Sequence, residues 1–189
     1  MIGKNMHDVN AAGNYPRPKA GGYVIRIKNV VNNKTNERLD IDYDFYEGEF
    51  KGYYEDLHAR AGFWAGRFTK SYKDTALPFF RAFIEAVTKS NPDTDGLVVG
   101  DYEDVDETKL PGKLVGMVVG EREYTGNDGQ RKRNLDNYNA TFVTVDDIHA
   151  GNYTVPELRV ADDITPAQAP AAVDMSTDGF IPDANNPPF

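Results

Sequence analysis

From Gly21 the chain alternates between apolar and polar positions. In "GGYVIRIKNVV", Tyr23, Ile25 and Ile27 share one side against Val24, Arg26 and Lys28, which predicts a half-buried strand. "NNKTNE" reads as a polar turn. "RLDIDYDFYEG" resumes the alternation with Leu39, Ile41, Tyr43 and Phe45 on one face. "KGYYEDLHAR" is expected as a third strand, followed by a Gly- and aromatic-rich loop, "AGFWAGRFTKSYKD". The period then changes. Phe79, Phe80, Phe83, Ile84 and Val87 have the spacing of a buried helix face, with Asp74 or Thr75 as the cap, Pro78 in the first turn and "SNPD" as the stop. After an acidic loop, "GKLVGMVVGEREYTG" and "RKRNLDNYNATFVTV" read as two strands joined by the hairpin turn "GNDGQ", and "DDIHAGNYTVPEL" adds a short helical turn. No internal repeat is visible.

Three strands, one α-helix and two strands, in that order, predict a mainly β domain of the OB-fold type. That fold is a five-stranded Greek-key barrel with its helix between strands three and four. The domain is expected over residues 21–160, preceded by a flexible arm (1–20). A disordered acidic tail (161–189) is expected to follow, too poor in apolar surface to offset the entropy of ordering it.

Composition adds limits. There is no cysteine, which excludes disulfides and thiolate metal sites and fits a reducing cytoplasm. No stretch has the length of a membrane span, and the N-terminus lacks the apolar core of a signal peptide, so no membrane partner is expected. The net charge of −9 is unevenly spread. Residues 161–189 carry five acids and no base, and Asp93 to Thr108 seven acids and no base, whereas Arg17 to Arg38 has six bases against Glu37 alone. A ligand meets these local blocks rather than the mean.

The basic blocks carry the candidate chemistry. In "FWAGRFTKSYKDTALPFFR", Trp64, Phe68 and Tyr72 interleave with Arg67, Lys70 and Lys73. Single-stranded nucleic acid presents flat bases and a charged backbone, so aromatics that stack and cations that displace counterions are the residues it requires. An OB-fold binds ligands across strands two and three, between the loops joining strands 1–2 and 4–5. Those loops supply Lys34 and Arg38, then Arg131 and Arg133, with Lys132 expected on the opposite side of its strand.

Other chemistry is thinly represented. Asp40, Asp42 and Asp44 are spaced like the start of a calcium loop, but Phe45 stands where glycine is needed and Lys51 where the closing glutamate belongs. They are read as a solvated strand face, and no metal or cofactor is expected. The three histidines have unrelated contexts, and no nucleophile motif or P-loop occurs; Gly116 and Gly120 are too sparse to cradle phosphates. No catalysis is expected. The rival expectation, supported by the net charge, is an acidic protein that occupies a nucleic-acid enzyme through Asp40–Asp44 and Asp93–Glu107.

"GGYVIRI", "GFWAGRFTKSYKDTALPFFRAFIEAVTKSNP", "GKLVGMVVGEREYTGNDGQRKR" and "VDDIHAGNYTVPEL" together resemble phage-encoded single-stranded DNA-binding proteins of Gram-positive bacteria, over roughly residues 20–160. The resemblance implies a protein that coats single-stranded DNA during replication or recombination. The ending "STDGFIPDANNPPF" independently resembles the acidic, Pro-Phe-terminated tails of bacterial single-stranded DNA-binding proteins, through Asp178, Asp183, Pro188 and Phe189. It departs from them where Asn185, Asn186 and Pro187 fill positions that are usually acidic. That likeness implies replication or recombination proteins as partners of the tail, with self-association left open.

Overall fold

A computed structural model describes residues 16–126 and 129–160. The expected arm lies outside that range up to residue 15, and so does the whole expected tail with Asp178, Asp183, Pro188 and Phe189.

Among the described residues, five strands form one strongly curled antiparallel sheet in the order β3-β2-β1-β6-β9. These are β1 (Gly21–Asn33), β2 (Arg38–Phe45), β3 (Arg67–Ser71), β6 (Leu114–Val119) and β9 (Thr141–Val143). Two small ribbons stand apart: β4 (Val98–Val99) with β5 (Asp104–Val105), and β7 (Glu121–Thr125) with β8 (Arg131–Leu135). Three α-helices complete the described chain, α1 (Tyr53–Ala61), α2 (Leu77–Ser90) and α3 (Val145–Ala150).

The alternation in β1 and β2 is realised as expected. Ile25 pairs with Phe45 and Ile27 with Tyr43, all buried on the concave side. A register shift between Ile27 and Asn29 marks a bulge at Lys28. The extra residue shifts the phase, so Val30 and Asn32, rather than Asn29 and Val31, stand opposite Ile41 and Leu39. A bulge also bends its strand, as a sheet curling into a half-barrel requires. Helix α2 fills the hollow with Phe83, Ile84, Ala86 and Val87. No ladder joins β3 to β9 among the described residues. Aromatic rings meet across that seam: Phe68 of β3 and Phe142 of β9 are 4.8 Å apart, and both touch Phe83.

Several expectations need correction. "KGYYEDLHAR" is mostly helix α1, not a strand, and the third strand is β3, inside the segment expected as a loop. The cause lies outside the segment. Asp44 of β2 accepts hydrogen bonds from the amides of Tyr54 and Glu55 at the start of α1, satisfying donors that a helix leaves open. Tyr54 then stacks on Phe45 at 5.4 Å. Asp74 and Thr75 do not cap α2; they lie in a short 3-10 turn, and the helix follows Ala76 with no side-chain cap. Phe79 was expected in the core but is 73% exposed, since it falls on the outward side of the first turn.

The two long C-terminal strands each break. β6 gives way to β7 at Gly120, whose carbonyl accepts from Asp136 N between β8 and β9. The β7–β8 hairpin forms as expected, with residues 127–128 of its tip outside the described range. Helix α3, the expected short helical turn, begins with a capping box between Thr144 and Asp147. It lies on the convex side of β6. A side chain at Gly116 would come within 2.5 Å of Ile148, so the glycine serves packing.

Candidate nucleic-acid interface

Strand β3 organises the basic segment and divides it. Its register sets Arg67 opposite Asp42 at one end and Ser71 opposite Arg38 at the other. Five residues of strand separate the two ends by roughly 13 Å. The expected site residues therefore fall into three places.

At the Arg67 end lies a cleft of about 770 Å³ between β3, α1, the β7–β8 hairpin and the segment entering β1. Arg17, Lys19, Arg67, Arg122 and Arg133 line it, against the carboxylates of Glu121 and Asp136. Asp136 is already engaged by Arg159 at 3.1 Å and by Asn139 at 2.7 Å, so its charge is largely answered within the fold. Arg67 is held 2.6 Å from Asp42, whose hydrogen bond raises the already high pKa of the guanidinium. Arg131 and Arg133 share Glu123, at 2.5 and 3.5 Å, and the Arg131 hydrogen bond above all lowers the pKa of that carboxyl. The two arginines therefore lie on one side of the strand. Tyr53 and Tyr138 supply aromatic surface, Tyr138 with 56% of its area exposed.

The interior takes two of the expected residues. Phe68 is 3% exposed and packs on Tyr43, Phe83 and Phe142, so it is core and not a stacking platform. Lys70, two residues on, faces the same way. Its ammonium lies 4.3 Å from the centre of the Phe142 ring, and burial lowers its pKa to about 8. Trp64 is intermediate in exposure. Its indole N–H donates to the carbonyl of Gly66 at 2.9 Å and its ring rests near His58. Gly66 admits no side chain, because a Cβ there would sit 2.4 Å from the Tyr43 carbonyl and the Tyr54 ring.

At the Ser71 end, Lys34 and Tyr72 line a second, separate groove. Lys73 is exposed just before α2, and Arg38 is paired with Asp40 at 3.0 Å. The aspartates of β2 are not a solvated face. Asp42 and Asp44 are buried, one against Arg67 and the other on the α1 amides, so neither presents a free charge to a phosphate or mimics one.

Sequence reasoning missed Arg17, Lys19, Arg122, Tyr53 and Tyr138. Arg122 carries no local signal, because it stands between Glu121 and Glu123 in a net-acidic arm, whereas the facing arm holds Arg131, Lys132 and Arg133. Arg17 and Lys19 precede β1, and the Tyr23 hydroxyl donates to the Lys19 carbonyl at 2.7 Å, fixing that residue beside the cleft. Among the described residues, no cluster of His and carboxylates has the form of a metal site, and no helix is long and apolar enough to cross a membrane. No family model matches the sequence, and no curated protein matches it.

Proposed function

We propose that the chain binds single-stranded nucleic acid, in the manner of a phage single-stranded DNA-binding protein, and catalyses no reaction. The observation that carries this reading is the cleft, where five basic side chains converge with Tyr53 and Tyr138 on one hollow. Such a groove tracks a phosphate backbone while its rings accept unstacked bases of any sequence.

The architecture supports the same reading. We interpret the half-barrel as an OB-type barrel left open along the β3–β9 seam, with β1, β2, β3, β6 and β9 as its five strands and α2 between the third and fourth. On that mapping the β7–β8 hairpin is the loop between strands four and five. The cleft then lies where this fold binds oligonucleotides, against strand three and that loop. The tail, with Asp178, Asp183, Pro188 and Phe189, would recruit replication or recombination proteins.

The test is fluorescence anisotropy of labelled oligo-dT and of a duplex of equal length, titrated across a range of salt. Single strands should bind more tightly, and log affinity should fall linearly with log salt at about −0.7 per phosphate contact. Arg122→Ala combined with Arg133→Ala should flatten that slope by about 1–1.5. Equal affinity for duplex and single strand, or an unchanged slope in the double variant, would overturn the reading.

A further inference from the structure

The groove at the other end of β3 has the opposite electrostatic character. It is open, holds about 950 Å³, and runs between the β1–β2 turn, the start of α2 and the β4–β5 ribbon. Its floor is apolar and aromatic, built from Leu39, Tyr72, Leu77, Phe80 and Tyr102. Leu77 keeps 45% of its area exposed there. The rim is acidic, with Glu37, Asp74, Glu103, Asp104 and Glu107 against the cations Lys34 and Arg81. Arg81 lies 2.9 Å from Glu85, with its guanidinium 4.5 Å over the Tyr102 ring.

Two further observations mark the groove. Among the described residues, the non-glycine positions with left-handed backbone are Glu37 (φ 50°) and Tyr102 (φ 61°), and both line it. Such conformations cost energy and tend to gather where a surface is shaped for binding. The apolar floor, moreover, lies beneath a rim that repels a phosphate backbone, so this groove is no extension of the basic cleft.

We propose that the groove docks a short segment of a partner protein in which apolar side chains are flanked by lysine or arginine. Charge complementarity selects that occupant: the apolar residues cover the floor while the flanking cations meet the rim. It also argues against the chain's own C-terminal segment, since residues 161–189 carry five acids and no base. Because the register places groove and cleft at opposite ends of β3, partner segment and nucleic acid can be held together. The proposal does not depend on the nucleic-acid reading.

The experiment uses the full chain and a fluorescein-labelled peptide with phenylalanine and leucine flanked by lysines in a glycine–serine background. Two control peptides replace the lysines by glutamates or the apolar residues by serines. The lysine–apolar peptide should bind, and each control should bind at least about tenfold more weakly, a loss of about 1.4 kcal/mol. Glu103→Lys with Asp104→Lys, and separately Leu77→Ser, should each cost the same factor. Asp93→Lys with Asp95→Lys makes the same change in net charge at exposed positions outside the groove and should leave peptide binding within about twofold. Circular dichroism melts verify that each variant is folded. Equal losses from the groove reversal and the Asp93/Asp95 reversal would reduce the effect to net charge. Undiminished binding of the serine peptide would equally overturn the proposal.

Discussion

Lys70 lies on the inner side of β3, where alternation places it beside Phe68, and its ammonium meets the Phe142 ring rather than solvent phosphate. Burial lowers its pKa from 10.5 to about 8. The unfolded chain therefore binds more protons between those values, and the lysine's contribution to stability rises as pH climbs through that window. Below it, both states are protonated and the buried charge weakens the fold. Lys70→Met should raise stability at pH 7 by roughly 1–3 kcal/mol and abolish the gain between pH 8 and 10.5. Urea denaturation of both proteins at pH 7 and pH 10 measures this, and a constant difference between them would show that Lys70 titrates normally. The aromatics divide in a similar way. Tyr138 is exposed at the cleft, so Tyr138→Ala should weaken oligo-dT binding by about 1–3 kcal/mol with little change in Tm. Trp64 is hydrogen-bonded and partly buried, so Trp64→Ala should lower stability by about 1–3 kcal/mol and affect binding less. The reverse pattern would restore Trp64 as the stacking residue.

Strand β2 and helix α1 form one unit through Asp44. Its carboxylate accepts from the amides of Phe45, Tyr54 and Glu55 at 2.8–3.0 Å, so a strand residue performs the work of a helix cap. Asp44→Ala should cost about 1–3 kcal/mol, the loss of a cap together with its charge at the positive end of the helix. Asp44→Asn, which keeps one acceptor oxygen, should recover part of it. Thermal melts of the two variants test this, and equal melting temperatures with the parent would mean that α1 needs no such anchor. Alternation in "RLDIDYDF" correctly identifies which side chains face the core. It says nothing of what covers the other face, and for that reason the aspartates looked solvated. "KGYYEDLHAR" is ambiguous on the same ground: short apolar runs do not discriminate strand from helix, and the partner that selects helix is distant in sequence. Helix α2 was legible because its apolar face repeats through several turns.

For the whole molecule, the net charge of −9 conceals two opposed surfaces at the ends of one short strand. Arg159, next to the last described residue, lies on the side of the basic cleft, where its backbone hydrogen-bonds to Glu121 and Glu123 of β7. On the proposed reading, deleting Asp174 to Phe189 should leave the melting curve unchanged, keep or raise oligo-dT affinity through the loss of three acids, and abolish capture of replication or recombination proteins from bacterial extract. Removing Phe189 alone should do most of the damage to capture. Identical partner sets from the full chain and both truncations would show that the C-terminus recruits nothing.

By itself the sequence determined the inward faces of β1 and β2, the body of α2, the β7–β8 hairpin and the short helix after β9. Each is encoded by neighbours in the chain, through period, turn chemistry or a local cap. It also determined where basic and acidic blocks lie. Only the tertiary structure decided which members of a block meet. Arg67, Lys70 and Tyr72 are near neighbours in "RFTKSY", yet β3 and the residue that follows it send one to the cleft, one to the core and one to the acidic groove. A strand separates its own residues by alternation and by length, and it joins them to groups from remote parts of the chain. For that reason the cleft draws Arg17, Arg122, Arg133 and Tyr138 from both ends of the domain, a juxtaposition no local pattern carries.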